Sequence, residues 1–226
     1  MPIDPNTIIL PPKIAEAAER EWTKRSMTRE DWMAELAGRM ERAEQSPAPG
    51  EPALDFNLEK LTPEGSRSGN FIRLSSYQGT SVGLVFGSNT CPYFRQSIDR
   101  LNQIHDELSE QVPILGVYIR EAHTTDGRQA GPNIEDGILF AKPTSADERA
   151  EIAADCIKRL APKFPLVMDD MDDSTENVYK ALPLRLFTID HNGVVIYRSG
   201  PGPHFFNPEE WYSSLNELAK IKSREK

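Results

Sequence analysis

The sequence predicts an α/β fold, with a mixed central sheet flanked by helices and an N-terminal helical extension in front of it. From residue 52 onward, short apolar runs typical of buried strands alternate with amphipathic stretches typical of helices. The first 50 residues differ, because prolines punctuate them and they close with a linker-like run, Ser46-Pro47-Ala48-Pro49-Gly50. We therefore expect two parts, an extension over residues 1–50 and an α/β domain over residues 51–226.

Length and composition exclude several classes of protein. A chain of 226 residues can bury a full core without disulfides, and it has only two cysteines. Its start lacks the basic and apolar stretches of a secretory signal, so we expect a cytoplasmic protein. The longest apolar runs fall short of the roughly 20 residues that cross a bilayer, which predicts no membrane span. A net charge of -9 argues against binding the phosphate backbone of nucleic acids.

Two short helices are expected in the N-terminal extension. Each has apolar residues at helical spacing, and Thr28 begins a run that resembles a capping box before the second helix. The apolar stripes could pack on the main domain, form a homodimer contact or act as a lid over a substrate, and the sequence leaves these alternatives open. The stripe residues are Ile14, Ala18 and Trp22, then Trp32, Leu36 and Met40.

The first half of the α/β domain contains a βαβ unit. Strands are predicted at residues 53–58, 71–74 and 81–86, and a second buried strand at 114–119. Between the last two lies a helix, because its apolar residues recur on one face: Phe94, Ile98, Leu101 and Leu108. A strand, a crossover helix and a second buried strand imply a parallel pair of strands.

The second half continues the alternation. A long connection, residues 120–144, leads to a helix that opens with a capping box at Ser145 and places Cys156 on its buried stripe. A strand at 166–168, a short helix around 177–181 and a hairpin follow, with an Asn-Gly turn between strands 186–190 and 194–198. The final helix begins near Pro208. This order of elements is the arrangement of a thioredoxin-like fold.

Cys91 stands where the buried strand turns into the helix. A thiol there lies near unpaired backbone N–H groups and the positive end of the helix dipole, so we expect its pKa to be lowered and its thiolate to be nucleophilic. The competing interpretation is that Cys91 is a small buried core residue. A dithiol motif would need a second cysteine at position 94, where Phe94 stands, so a standard disulfide-reductase mechanism is disfavoured.

Two sequence blocks resemble the iodothyronine deiodinase family. The first surrounds Cys91, at the position of the family's selenocysteine, and the second follows after one helix and one strand, at the family's spacing. The resemblance covers roughly residues 52 to 220. The blocks are Phe86-Gly87-Ser88-Asn89-Thr90-Cys91-Pro92-Tyr93-Phe94 and Tyr118-Ile119-Arg120-Glu121-Ala122-His123, the latter continued by Asp126-Gly127.

The resemblance implies reductive dehalogenation of an iodothyronine or another halogenated phenol. Cys91 is then the soft nucleophile that takes the halogen, and His123 supplies a proton to the carbon left behind, with Glu121 holding the imidazolium and fixing its tautomer. Tyr118 completes this proton-delivery network, and Thr90, directly before the thiol, is included in the predicted catalytic set. The resemblance further implies that Arg185 meets a substrate carboxylate through its bidentate fork.

The source of reducing equivalents is expected to lie outside the chain. Cysteines that some family members carry are replaced here by Asn89 and Phe164, so no internal resolving thiol is evident. We expect an external thiol such as glutathione, thioredoxin or dithiothreitol to regenerate Cys91, with no bound cofactor. No Cys-x-x-Cys or His-x-His cluster predicts a metal site.

Two other functions stay open at this point. A one-cysteine, peroxiredoxin-like thiol peroxidase would use Cys91 to attack a peroxide oxygen, passing through a sulfenic acid. A redox-sensing module would instead signal the state of Cys91 through the N-terminal helices. Iodide release and peroxide consumption distinguish the two enzymatic functions.

Overall fold

The computed structural model describes residues 2 to 224 and divides into two compact units, Met1–Ser46 and Pro47–Lys226. The first unit contains two helices, α1 (Pro12–Lys24) and α2 (Arg29–Ala43). The side chain of Thr28 accepts a hydrogen bond from the backbone N–H of Asp31 and caps α2, as its sequence predicts. The rings of Trp22 and Trp32 meet edge to face, with centroids 5.7 Å apart, and join the two helices.

The second unit is built on a seven-stranded mixed sheet with strand order β2-β1-β5-β4-β3-β6-β7. The central strands β3, β4 and β5 run parallel, and the strands outside them pair antiparallel. The predicted parallel pair of the βαβ unit is therefore confirmed as β3 with β4. The strands are β1 (Asn57–Leu61), β2 (Arg67–Arg73), β3 (Val82–Gly87), β4 (Ile114–Tyr118), β5 (Leu166–Met168), β6 (Arg185–Ile189) and β7 (Val195–Arg198).

The central strands of the sheet are buried along their whole length, because helices pack against the sheet. One hydrophobic cluster joins the sheet to three long helices and includes Leu101, Cys156 and Trp211. A second cluster, which includes Phe86 and Tyr179, covers other sheet residues. The helices of this unit are α3 (Pro92–Leu108), α4 (Gly131–Glu135), α5 (Ala146–Leu160), α6 (Ser174–Tyr179) and α7 (Pro208–Arg224).

Several element predictions differ from the structure. The second strand is Arg67–Arg73 rather than 71–74, and the short helix is Ser174–Tyr179 rather than 177–181. The first strand lies at Asn57–Leu61 rather than at residues 53–58, because regular pairing with β2 starts only at Asn57. The connection over residues 120–144 contains a helical turn, α4, which apolar periodicity could not reveal because the segment is too short to show a repeat. The predicted β6–β7 hairpin is present, and Gly193 supplies its positive φ, 79°. Among residues 2 to 224, every helix is too short or too polar to span a bilayer.

Candidate functional site

The candidate site is centred on the turn between β3 and α3. Cys91 is the N-cap residue of α3, Pro92 occupies the first helical turn, and the N–H of Cys91 donates to the carbonyl of Ser88 at 3.2 Å. The turn residues Ser88, Asn89 and Thr90 are fully buried, and Cys91 is 1% exposed. Gly87 is required at the end of β3, since a Cβ there would lie 2.2 Å from the Phe94 ring. The thiol is thus enclosed in a tightly packed turn between β3 and α3.

Burial dominates the electrostatics of Cys91. It raises the pKa of the thiol from 9.0 to about 11, although the N–H groups of Phe94 and Tyr93 and the charge of Arg95 act in the opposite direction. The negative charge of Glu121 raises the pKa further. The expectation of a lowered pKa is therefore wrong: the helix N-terminus does reach the sulfur, but desolvation outweighs it. In the structure as it stands, Cys91 is a thiol at neutral pH.

Glu121 follows β4, the neighbouring parallel strand, and lies beside the same turn. Its Oε2 accepts from both the N–H and the hydroxyl of Thr90, and its Oε1 accepts a very short hydrogen bond from the hydroxyl of Tyr118. The Tyr118 oxygen in turn accepts from the N–H of Asn89 at 3.2 Å. Burial raises the pKa of Glu121, while these hydrogen bonds oppose the rise. The predicted residues Thr90, Tyr118 and Glu121 thus form one buried network.

His123 joins this network through its backbone. Its N–H donates to Thr90 Oγ1 at 3.0 Å, whereas its ring Nδ1 lies 3.0 Å from the carbonyl oxygen of Arg128. A carbonyl can only accept, so Nδ1 carries the proton and Nε2 is left without one in the neutral ring. Burial lowers the pKa of His123, which keeps the ring neutral at pH 7. The prediction that Glu121 fixes the tautomer is wrong, because the Arg128 carbonyl does so.

Arg185 is placed in a structural role. Its side chain is 1% exposed, and its guanidinium donates to the backbone carbonyls of Ser199, Tyr179 and Lys180. It also lies over the ring of Phe187, 5.4 Å from the centroid. A substrate carboxylate could reach it only after these buried hydrogen bonds broke. The structure therefore gives Arg185 a structural role among these carbonyls, and its contact with a substrate carboxylate stays a prediction.

Two residues of the site were not anticipated. Arg95, one helical turn after Cys91 on α3, donates to the carbonyl of Asn89, and Asn133 on α4 donates to the carbonyl of Thr90. The spacing of four residues between Cys91 and Arg95 was a usable sequence signal, since such residues share a helix face. Nothing in the sequence marks Asn133, because its position depends on how the connection after β4 folds back.

Cys156 is a core residue, as predicted from its helical stripe. It is 1% exposed on α5 and belongs to the same hydrophobic cluster as Cys91. Burial raises its pKa, and the charges of Glu121 and Asp155 add to that effect. Both cysteines are free thiols. Within residues 2 to 224, no group of three or more His, Cys, Asp or Glu side chains is arranged to hold a metal ion.

Fold and site together define a thioredoxin-like protein with one cysteine at the N-terminus of the helix after the central strand. Solved structures share this fold: the thioredoxin domain of a thiol-disulfide oxidoreductase from Bacteroides vulgatus has a TM-score of 0.53, 15% identity and 77% coverage of this chain and 99% of that one. A conserved protein from Geobacillus kaustophilus has a TM-score of 0.54, 16% identity and coverage of 77% and 83%.

The chain belongs to the iodothyronine deiodinase family, whose model matches residues 7–219. The match begins well before residue 52, so it includes most of the N-terminal extension, where no resemblance was evident from the sequence. The type I deiodinase of Xenopus laevis is 32% identical over 158 residues, 69% of this chain and 60% of the relative. The thyroxine 5-deiodinase of Rattus norvegicus is 30% identical over 165 residues, 71% and 52%. The chain thus matches only about half to three fifths of the length of these relatives.

Proposed function

We propose that this chain is a thiol-dependent reductive dehalogenase acting on halogenated phenols, iodothyronine-like compounds among them, with Cys91 as the nucleophile. One observation carries the proposal. Thr90, the residue before the thiol, is hydrogen-bonded both to the Glu121 carboxylate and to the backbone of His123. The nucleophile and a proton-transferring network are therefore connected through a single side chain, and the family relationship supplies the class of reaction.

The proposed step balances without a bound cofactor. The Cys91 sulfur attacks the halogen of the aromatic substrate, a sulfur–halogen bond forms, and the carbon–halogen bond breaks. The electron pair of that bond stays on the ring carbon, which takes up a proton. An aryl halide and the Cys91 thiol thus become an arene and a sulfenyl halide, so the substrate is reduced and the cysteine is oxidised.

The proton for the ring carbon can come from Cys91 itself. Both groups are neutral in the free protein, because the pKa of Cys91 is raised and that of His123 is lowered, and both shifts oppose a thiolate–imidazolium pair until substrate is bound. When substrate enters, transfer of the thiol proton to Nε2 creates the nucleophilic thiolate and the imidazolium acid together. His123 then acts first as base and second as acid. The Tyr118–Glu121 pair, buried beside the turn, stabilises the arrangement by holding Thr90.

Regeneration requires two equivalents of an external thiol. The first attacks the oxidised sulfur, releases halide and leaves a mixed disulfide on Cys91, and the second releases the disulfide and restores the thiol. Glutathione, thioredoxin and dithiothreitol are all chemically able to do this. The overall reaction then converts an aryl halide and two thiols into an arene, a disulfide and a hydrogen halide.

The test is an assay of the purified full chain with excess dithiothreitol. Iodide release from an iodothyronine or an iodophenol is measured in parallel with hydrogen peroxide consumption. We expect iodide release that disappears in Cys91→Ala, falls strongly in His123→Ala and persists in Cys156→Ala, the matched control for removing a buried thiol. Peroxide turnover without iodide release from any halogenated phenol would overturn the proposal in favour of a thiol peroxidase.

A thiol peroxidase is the second candidate function. Both reactions need the thiolate of Cys91, and burial acts against its ionisation in both. The family relationship is what favours dehalogenation.

A further inference from the structure

Arg95 bridges the active-site turn and helix α4. Its Nη1 donates to the carbonyl of Asn89 at 2.8 Å and to Oδ1 of Asn133 at 3.0 Å, and its Nη2 donates to Asp136 at 2.9 Å. Asn133 is fully buried and passes the connection on, since its Nδ2 donates to the carbonyl of Thr90 at 2.9 Å. The carbonyls of the two residues before Cys91 are thus both held by one clamp, formed by Arg95 and Asn133.

The clamp also places a positive charge next to the thiol. The side chain of Arg95 is only 9% exposed, so solvent screens its charge weakly. This charge acts to lower the pKa of Cys91, of Cys156 and of His123, so all three groups lie within its electrostatic range. Of the negatively charged groups nearby, Glu121 raises the pKa of Cys91, and Asp136 pairs with Arg95 from the solvent side.

We propose that Arg95 is a positioning residue for Cys91: together with Asn133 it fixes the turn that carries the thiol, and its buried charge stabilises the thiolate when it forms. Neither role requires contact with substrate. The proposal concerns the reactivity of Cys91 itself and goes beyond the proposed function, because it holds whichever electrophile the thiolate attacks. It also gives a role to α4, the short helix between β4 and α5, because α4 carries Asn133.

The test measures the thiol directly. The full chain is treated with iodoacetamide from pH 7 to pH 10, and alkylation of Cys91 and of Cys156 is followed separately by peptide mass spectrometry. Cys156 is as buried as Cys91 and reports any general opening of the structure. The variants are Arg95→Gln, which keeps an amide donor but no charge, and Arg95→Lys, which keeps the charge. Arg100→Gln is the matched control, since Arg100 lies on the same helix but pairs with Glu209.

We expect alkylation of Cys91 between pH 7 and pH 10 to be about tenfold slower in Arg95→Gln than in the parent chain, the effect of a pKa raised by about one unit. Arg95→Lys should recover most of the rate, and Arg100→Gln should stay within about twofold of the parent chain. An unchanged alkylation rate of Cys91 in Arg95→Gln would overturn the proposal. Faster alkylation of both cysteines signals a loosened fold, in which case the Asn133→Ala variant decides.

A second variant covers the case in which Arg95→Gln does not fold. Asn133→Ala keeps the charge of Arg95 but removes the donor to the Thr90 carbonyl. We expect Cys91 alkylation to change at least threefold while Cys156 alkylation does not. Equal rates at Cys91 in Asn133→Ala and the parent chain would show that the clamp does not act on the thiol. Because these measurements use no halogenated phenol, they are independent of whether the chain dehalogenates one.

Discussion

The N–H and the hydroxyl of Thr90 both donate to the same oxygen of Glu121, at 2.8 and 2.7 Å. The threonine oxygen also accepts from the N–H of His123. Thr90 therefore connects the turn before the nucleophile to the segment that follows β4; its hydrogen bonds to Glu121 are buried, and the one from His123 is partly buried. A side chain that makes such a connection contributes to the stability of the fold and to the geometry of the site at once.

Replacing Thr90 distinguishes those contributions. Thr90→Val keeps the shape but removes the hydroxyl, leaving a buried carboxylate oxygen and the His123 N–H each short of a partner. We expect a loss of about 1 to 3 kcal/mol in the free energy of unfolding, measured in urea, and a large drop in turnover. Thr90→Ser retains the hydroxyl and should keep most of both. If Thr90→Val kept full turnover, this connection would be unimportant for reaction.

Tyr118→Phe tests the buried hydroxyl on Glu121. It removes a donor to Glu121 and the acceptor of the Asn89 N–H, so we expect turnover to fall about 100-fold. Tyr179→Phe is the matched control, because Tyr179 is equally buried, in the second hydrophobic cluster, and its hydroxyl donates to the carbonyl of Leu54. The control should lose stability but little activity per folded molecule. Similar activities in the two variants would contradict a special role for Tyr118.

The raised pKa of Cys91 predicts a pH-dependent stability. The ordinary pKa is 9.0 and the folded one about 11, so the thiol contributes fully below pH 9, where both states are protonated. As pH rises from 9 to 11 the unfolded thiol ionises first, and this contribution is lost. The difference amounts to about 2 to 3 kcal/mol. Comparison with Cys91→Ser by urea unfolding isolates it: the parent chain should lose more stability over this window, and parallel curves would refute the assignment.

His123 predicts the acid limb of the activity profile. Its lowered pKa keeps the imidazole mostly neutral at pH 7, and activity should fall as pH drops through that folded pKa, where the ring becomes protonated before it can accept from Cys91. In His123→Gln the acid limb should disappear and the plateau should be at least tenfold lower. An acid limb that persists in His123→Gln would assign it to another group.

Arg185→Met tests the structural role of the buried guanidinium. Three backbone carbonyls lose their donor, so we expect a loss of at least about 3 kcal/mol in unfolding free energy and a lowered Tm. The KM of the fraction that remains folded should be unchanged. A rise in KM with unchanged stability would restore a substrate contact to Arg185. Arg185→Lys keeps the charge but not the fork geometry, and its free energy of unfolding should lie between those of the parent chain and Arg185→Met.

Much of the fold was predictable because it rests on local pattern. The apolar stripe of α3, the capped start of α5 and the Asn-Gly hairpin all follow from spacing that the chain itself displays. Cys91 could be placed at a strand-to-helix turn for the same reason. The approach of Glu121 and His123 to the thiol was predicted because parallel strands bring their carboxyl ends to one edge of the sheet. The place of Tyr118 in the network was implied by the family resemblance.

The sequence by itself thus determined the α/β architecture, the position of the thiol and the approach of Glu121 and His123 to it. Only the tertiary structure decided how those residues act on one another, because pKa values and hydrogen-bond partners depend on burial and on contacts between distant segments. Burial reversed the expected pKa shift of Cys91, the guanidinium of Arg185 is engaged by backbone carbonyls, and the carbonyl of Arg128 fixes the tautomer of His123. Folding of the connection after β4 brought Asn133 and Arg95 together, and no local pattern encodes that contact.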